Sequence, residues 1–224
     1  MEKEAASMND GEKSGIDQLF MTMPQPWQSR GNRTAKEAAC FFELIVQEDL
    51  YEEETFFYTS DEIEQAVRYH DIGFLKLPKA FLTAGPAALE EQKEAVWKHT
   101  VYGADIMKQY WLHHSLSEKE KGVWRMAAEI AIGHHERWDG KGYPHGEMAT
   151  AISLISRITA IVDCFDRVFQ ENDWSLERSA AAAIQRLEER AGTYYDPRLV
   201  TRFKEVCYHS EKFARLLKQE GRQE

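Results

Sequence analysis

The stretch His134-His135-Glu136-Arg137-Trp138-Asp139-Gly140-Lys141-Gly142-Tyr143-Pro144 joins two adjacent histidines to a turn rich in glycine and proline. Asp-Gly and Gly-Tyr-Pro are typical of tight turns, but a turn does not by itself require two histidines before it. Elsewhere in the chain stand further residues of metal-binding type, namely His70, Asp71, His99 and Asp163. Imidazoles and carboxylates in one set predict a metal cluster of the kind that assists hydrolysis of phosphate esters.

The histidines fall on the apolar faces of predicted helices. From a start near Ser60, apolar residues and then His70 follow the spacing i, i+3, i+4, i+7, so His70 faces inward. His134 continues a similar stripe that begins at Val123. Because no segment alternates in the manner of a strand, we predict an all-α fold, a single helical bundle that encloses a metal site.

Start signals place several of these helices along the chain. The pattern Ser/Thr-x-x-Glu occurs at Thr34 to Glu37 and at Ser117 to Glu120, and each predicts the beginning of a helix. Further helices are predicted over 89–110, with a bend near His99, and over 151–169, 175–190 and 197–217.

Length and charge limit the class of protein. The 224 residues fit one domain, which we place at 31–217, with a flexible N-terminal arm at 1–30 and a tail at 218–224. The formal net charge of −10 disfavours a nucleic-acid-binding surface, which needs cations against phosphates. The three cysteines are dispersed, and no signal peptide or membrane-length apolar run occurs, so we expect a reduced, soluble, cytoplasmic protein without a membrane partner.

Each metal-binding residue also has an ordinary structural explanation. His99 alone fits a hydrogen-bonded core residue, and the pair His134-His135 fits the C-terminal end of a helix. Asp163 fits a salt bridge with Arg157 or Arg167. These explanations must hold independently at every position and do not account for the turn that follows, whereas one metal cluster explains the whole set.

The order and the residue types of these motifs resemble those of the HD-GYP branch of the HD-domain metal-dependent phosphohydrolases. The matching segments, between Thr34 and Phe213, are His70-Asp71-Ile72-Gly73, Pro78, His99 with Gly103, His134-His135-Glu136 through Gly142-Tyr143-Pro144, Arg157-Ile158, Asp163-x-Phe165-Asp166 and Gly192-Thr193-x-x-Asp196-Pro197. The resemblance implies an all-helical fold around two or three metal ions, commonly iron or manganese. It also implies hydrolysis of the bacterial second messenger cyclic di-GMP.

Carried over by position, the resemblance implies a role for each residue. Two divalent transition metals are expected, iron or manganese first and nickel or zinc as alternatives. A hydroxide between them would attack phosphorus in line, with His70 and Asp71 as the catalytic residues. One ion would be held by His70, Asp71 and Asp163, and the other by Asp71, His99, His134 and His135. The residues expected to contact substrate are Gly142, Tyr143, Pro144 and Arg157.

Some positions depart from the family pattern. Family members usually carry a histidine, often with a nearby glutamate, on the first core helix, whereas no histidine precedes His70 here. Glu37 stands near that place and either substitutes for it or caps a helix with Thr34. Phe74 replaces a phosphate-binding lysine, and the segment from Glu171 to Trp174 replaces an Arg-Pro-Tyr element. The loss of these cations is expected to alter the binding of the substrate. Restoring one of them by Phe74→Lys is then expected to raise activity.

Three functions fit the sequence. The first is a phosphodiesterase acting on cyclic di-GMP or a related nucleotide. The second is a catalytically silent module that binds nucleotide or a signalling protein, such as a diguanylate cyclase, through the surface around Gly142-Tyr143-Pro144. The third is a related hydrolase of mononucleotides or linear dinucleotides. Besides these partners, a second copy of the chain in a homodimer is compatible with the sequence.

Overall fold

The computed structural model describes residues 14–47, 51–55, 58–84, 89, 91–171 and 175–220. The helices are α1 Ser14–Phe20, α2 Gln25–Val46, α3 Glu52–Thr55, α4 Ser60–Val67, α5 Ala80–Thr83, α6 Lys93–Val96, α7 Lys98–His113, α8 Glu118–Gly133, α9 Leu154–Glu171, α10 Leu176–Glu188, α11 Pro197–His209 and α12 Glu211–Glu220. Two short 3₁₀ segments, Ile72–Lys76 and Ala149–Ala151, lie between them. The described ranges hold no β-strand beyond an isolated bridge from Ala191 to Tyr195, so the prediction of an all-α fold is confirmed.

The centre of the bundle is formed by the long helices. Helix α7 packs against α8, α2 packs against both α4 and α9, and α9 packs against α10. Their inward side chains are fully buried apolar groups such as Phe41, Ile63, Ile130 and Phe165. The three cysteines are free, as expected. No described helix has the length and apolar character that crossing a bilayer requires.

Two predicted helix starts had different outcomes. Ser117 and Glu120 form the reciprocal capping box of α8, as predicted. The capping box predicted at Thr34 and Glu37 is wrong, because α2 already begins at Gln25 and Thr34 is buried in its middle. Pro26 in the first turn is compatible with this early start, since a backbone N–H has no partner there anyway.

The flexible arm predicted for residues 1–30 is wrong over residues 14–30. These residues form α1 and the first turns of α2, and Ile16, Phe20 and Met23 are buried. Ile16 and Phe20 lie one turn apart on the same face of α1, Met23 lies in the turn that follows, and all three pack on the core. The Tyr69 hydroxyl also donates to Asp17 at 2.6 Å. Residues 1–13 lie outside the described ranges.

Two other predicted segments are interrupted. The segment predicted over 89–110 is interrupted at Trp97, because α6 ends at Val96 and α7 begins at Lys98, just before His99. The segment predicted over 197–217 breaks at Ser210, between α11 and α12. Helix α12 includes residues 218–220 of the predicted tail, and residues 221–224 lie outside the described ranges. Residues 172–174, in the segment that replaces the family's Arg-Pro-Tyr element, also lie outside them.

Candidate metal centre

His70 and Asp71 lie in the turn that follows α4 and leads into the 3₁₀ segment Ile72–Lys76. Gly73 in that segment lies directly against the backbone of α7. A Cβ atom at Gly73 would collide with the carbonyl oxygen of His99 and lie 2.5 Å from the nitrogen of Gly103. A glycine is therefore required here, and the close approach brings Asp71 within reach of His99.

Three buried imidazoles are oriented by backbone carbonyl groups. Each ring places Nδ1 against a carbonyl one helical turn earlier, and the Nδ1 to oxygen distances are 2.9 Å for His70 to Val67, 2.6 Å for His99 to Val96 and 2.9 Å for His134 to Ile130. A carbonyl oxygen only accepts, so Nδ1 is the donor in each case. Nε2 is thereby turned away from the helix and toward the centre of the bundle.

The three Nε2 atoms converge on the carboxylate of Asp71. One oxygen, Oδ1, lies 3.4 Å from Nε2 of His99 and 3.6 Å from Nε2 of His134. The other oxygen, Oδ2, lies 3.3 Å from Nε2 of His70. These are close contacts rather than hydrogen bonds of good geometry, and within the described part of the chain none of the three Nε2 atoms has a hydrogen-bond partner.

This arrangement fits a bound transition metal. Ligand atoms of Asp71, His99, His134 and His135 all lie within 4.8 Å of one another. A buried polar atom without a partner costs about 1 to 3 kcal/mol, and a cation among these atoms would satisfy several at once. A set of imidazole nitrogens and one carboxylate suits iron, manganese, nickel or zinc.

The protonation states around Asp71 also suit a cation. Burial lowers the pKa of His99 to about 4, and burial together with His134 and His99 lowers the pKa of His135 well below its usual value. Both rings are therefore neutral near pH 7. Burial opposes ionisation of Asp71, but the charges of His70 and Arg30 hold its pKa well below the usual range.

His70 and Asp163 differ from this group, because they behave as an ion pair. Burial disfavours the charged imidazole, yet the carboxylates of Asp71 and Asp163 raise the pKa of His70 to about 10. Burial also opposes ionisation of Asp163, but Arg30 and His70 keep its pKa far below the usual value. Nε2 of His70 lies 3.5 Å from Oδ1 of Asp163.

Two arginines at the centre were missed in the sequence. Arg30 donates to Oδ1 of Asp163 from Nε at 2.9 Å and from Nη2 at 2.5 Å. Arg33 forms a two-point pair with Asp166, with distances of 2.7 and 3.0 Å. The partner of Asp163 is thus neither Arg157 nor Arg167. The two arginines and the two aspartates are each three residues apart, and this equal spacing could have indicated the two pairs. The pairs were not predicted because residue 30 was assigned to a flexible arm.

Glu37, the candidate substitute for the missing histidine, is buried in α2, two turns beyond Arg30. It does not belong to the described group of residues whose ligand atoms converge around Asp71.

The Gly-Tyr-Pro turn is held against the centre. The buried carboxylate of Glu136 accepts from the backbone nitrogens of His145 at 2.7 Å and Glu147 at 3.0 Å. A Cβ at Gly142 would lie 2.5 Å from Cα of Glu136, so the turn is packed too tightly for another residue. The peptide bond between Tyr143 and Pro144 is cis.

Tyr143 lies between two other rings. It stacks on His135 with ring centroids 4.8 Å apart and on Trp97 with centroids 4.7 Å apart. Trp97 is 38% exposed, so the stack extends from His135, a candidate metal ligand, to the surface. The structure therefore brings Gly142 and Tyr143 to the centre, with the half-exposed Pro144 beside them.

Arg157 is not available to contact a substrate, and that prediction is wrong. Its side chain is buried, donates to the carbonyl of Ile152 at 2.9 Å and to Asp196 at 2.8 Å, and pairs with Glu54. These partners accept from all three guanidinium nitrogens, Nε, Nη1 and Nη2. Arg157 therefore links α9 to α3 and to the start of α11, and its role is structural.

Comparison with known proteins agrees with this fold. The profile of the HD-domain family matches residues 41–199, and the chain belongs to that family. Curated relatives are named cyclic di-GMP phosphodiesterases, and one solved structure of the same fold is an HDG"Y"P protein, which confirms the resemblance noted in the sequence.

Two curated relatives illustrate the similarity. A cyclic di-GMP phosphodiesterase of Thermotoga maritima is 32% identical over 142 residues, which cover 63% of this chain and 36% of the relative. A 3'3'-cGAMP-specific phosphodiesterase 2 of Vibrio cholerae is also 32% identical, over 63% of this chain and 25% of the relative. The chain thus spans about a third or less of the length of these relatives.

Solved structures share the fold at low identity. A cyclic GMP-AMP specific phosphodiesterase of V. cholerae superposes with a TM-score of 0.56 and 18% identity, over 92% of this chain and 51% of that chain. An HDG"Y"P protein of Bdellovibrio bacteriovorus gives a TM-score of 0.54 and 13% identity, over 88% of this chain and 58% of that chain.

Proposed function

We propose that this protein is a metal-dependent phosphodiesterase that hydrolyses a cyclic dinucleotide, with cyclic di-GMP as the first candidate. The observation that carries the proposal is the convergence of Asp71, His99, His134 and His135 within 4.8 Å beside the Gly142-Tyr143-Pro144 turn. The activities for which the relatives are named, cyclic di-GMP and cGAMP hydrolysis, support the substrate class.

The four residues would hold an iron or manganese ion, with nickel and zinc as alternatives. Such an ion supplies Lewis acidity for the attack of water on phosphorus and stabilises negative charge on the phosphate. The residues of the chain prepare this site. Backbone carbonyls fix His99 and His134 with Nε2 inward, and the cationic surroundings keep Asp71 ionised. A second ion, as expected from the sequence, would need the oxygen of Asp163 that Arg30 contacts.

The aromatic stack at the edge of the centre supports a nucleotide substrate. Trp97 packs on Tyr143 and is still 38% exposed, so part of its indole is accessible to a ligand. A nucleobase stacked on an aromatic side chain gains about 1 to 3 kcal/mol. We propose that a base of the dinucleotide stacks on Trp97 while the adjoining phosphate reaches the metal centre.

The test is hydrolysis of cyclic di-GMP by protein prepared without oxygen and loaded with ferrous or manganous ion, with products separated by chromatography. The wild type is expected to release linear dinucleotide or GMP. Asp71→Ala, which removes the carboxylate shared by all the imidazoles, is expected to lose both metal and hydrolysis. Trp97→Ala is expected to raise KM roughly 5- to 150-fold, because it removes the proposed stacking contact with the base.

The opposite results would point elsewhere. A metal-loaded wild type without product on cyclic di-GMP would contradict that substrate, and cGAMP and linear dinucleotides would be tried next. Binding of nucleotide without turnover of any of them would favour the silent module. A diguanylate cyclase partner, a homodimer and a cytoplasmic location stay predictions from the sequence.

A further inference from the structure

The guanidinium of Arg30 lies between the two carboxylates that the first of two metal ions would use. It donates twice to Oδ1 of Asp163, at 2.9 and 2.5 Å, and its Nη1 lies 3.6 Å from Oδ2 of Asp71. The side chain of Arg30 is 27% exposed, so most of this cation is enclosed by the protein. A metal ion would need the same two carboxylates.

The oxygen that Arg30 contacts is the one that faces His70. Oδ1 of Asp163 accepts both N–H groups of Arg30 and lies 3.5 Å from Nε2 of His70. A metal ion shared by His70 and Asp163 would have to displace the guanidinium from that oxygen. Arginine keeps its charge at any ordinary pH, so it would also repel an ion placed beside it.

Asp71 separates the two halves of the centre. Its Oδ1 faces His99 and His134, whereas its Oδ2 faces His70 and Arg30. One oxygen is thus available to the four-residue set while the other is already paired with fixed positive charge. In a site with two metal ions, the carboxylate of Asp71 would bridge both. Here it would bridge one ion and the guanidinium of Arg30.

We propose that Arg30 is a built-in cation that takes the place of one metal ion, so that this chain binds a single ion in the set Asp71, His99, His134 and His135. The inference rests on the proposed function in treating this centre as a metal site. It replaces the expectation of two ions drawn from the sequence. Arg30 then neutralises Asp163 and part of Asp71, a task that a second ion would otherwise perform.

The test counts metal ions per chain by elemental analysis, after loading with manganous ion without oxygen and removal of the excess. The wild type is expected to hold one ion and to show the spectrum of isolated manganese in electron paramagnetic resonance. Arg30→Ala frees Oδ1 of Asp163 and is expected to hold two ions, with a spectrum broadened by coupling between them. Arg30→Lys, which keeps a cation, is expected to hold one.

Arg167→Ala is the matched control. Arg167 is exposed and lies one helical turn beyond Asp163, so the variant removes a nearby positive charge without freeing the Asp163 oxygen. One ion per chain is expected. Two ions in this control would mean that general charge, rather than the place of Arg30, limits metal binding, and would overturn the proposal.

Other outcomes also decide the matter. Two ions in the wild type, or one ion in both the wild type and Arg30→Ala, would overturn the role of Arg30 while leaving a metal-dependent enzyme intact. A wild type with one ion and no hydrolysis would instead count against the proposed function alone. Circular dichroism shows whether Arg30→Ala folds, and Arg30→Gln, for which two ions are also expected, serves if it does not.

Discussion

Phe74, which departs from the family pattern, is part of the packed core beside His99 and Trp27. Its ring stacks on His99 with centroids 4.4 Å apart and contacts Trp27 at the same distance, and it is 4% exposed. The residue therefore packs against the imidazole of His99, a proposed metal ligand. A lysine at this place would have to bury its ammonium group between two aromatic rings, those of His99 and Trp27.

Phe74→Lys is therefore expected to destabilise the protein rather than raise its activity, contrary to the expectation from the sequence. Loss of a buried phenyl group costs about 3 to 5 kcal/mol in the free energy of unfolding, and the buried charge adds to this. Urea denaturation of the metal-loaded protein measures the loss. Lys76→Ala, at an exposed position of the same 3₁₀ segment, is the control and is expected to change stability by less than about 0.5 kcal/mol. A stable, more active Phe74→Lys protein would contradict this account.

At the scale of elements, the sequence predicted those helices whose ends are marked locally. The cap at Ser117 and the apolar stripes toward His70 and His134 depend on neighbours a few residues away, and these predictions hold. Helix α1 and the early start of α2 were missed because Met, Pro and charged residues there suggest disorder by composition. What orders α1 is contact with Tyr69, a residue distant in sequence, whose ring meets Phe20 edge-on and whose hydroxyl donates to Asp17.

The contact between α2 and α9 is stabilised by Arg33 and Asp166, and it can be tested there. The side chain of Asp166 is completely buried, and Arg33 is its two-point partner. Removing one member of a buried ion pair leaves the other charge uncompensated, so Arg33→Ala is expected to lower the free energy of unfolding by about 3 to 5 kcal/mol. Arg33→Lys keeps the charge but loses the paired geometry, and a smaller loss is expected. Equal stability of the wild type and Arg33→Ala in urea denaturation would contradict this role.

At the scale of the whole molecule, the candidate metal centre joins segments that lie far apart in the chain. His70 and Asp71 lie in the turn after α4, His99 lies in the first turn of α7, and His134 and His135 follow the last turn of α8. These residues come together as predicted, because the three helix ends converge on Asp71. The sequence could not tell which cation Asp163 would meet, since that depends on how α2 lies against α9. For the same reason it assigned Arg157 to the substrate, whereas the fold pairs it with Asp196 and Glu54.

Because these segments come from most of the bundle, metal binding is expected to stabilise the entire fold. An ion that binds only the folded state at 100 times its Kd adds about 2.7 kcal/mol to the free energy of unfolding. For a chain of this size each kcal/mol raises Tm by roughly 2 to 4 °C, so removal of the ion by a chelator is expected to lower Tm by roughly 5 to 10 °C. Differential scanning calorimetry before and after chelation measures the shift.

Two controls connect that shift to the four-residue set. Asp71→Ala lacks the shared carboxylate, and its Tm is expected not to respond to manganous or ferrous ion. Magnesium prefers oxygen ligands and octahedral geometry, so at equal concentration it is expected to leave the wild-type Tm unchanged. A comparable Tm shift with magnesium, or an undiminished Tm response in Asp71→Ala, would show that the stabilising ion binds elsewhere. The inward orientation of the Nε2 atoms around Asp71 would then need an explanation other than metal binding.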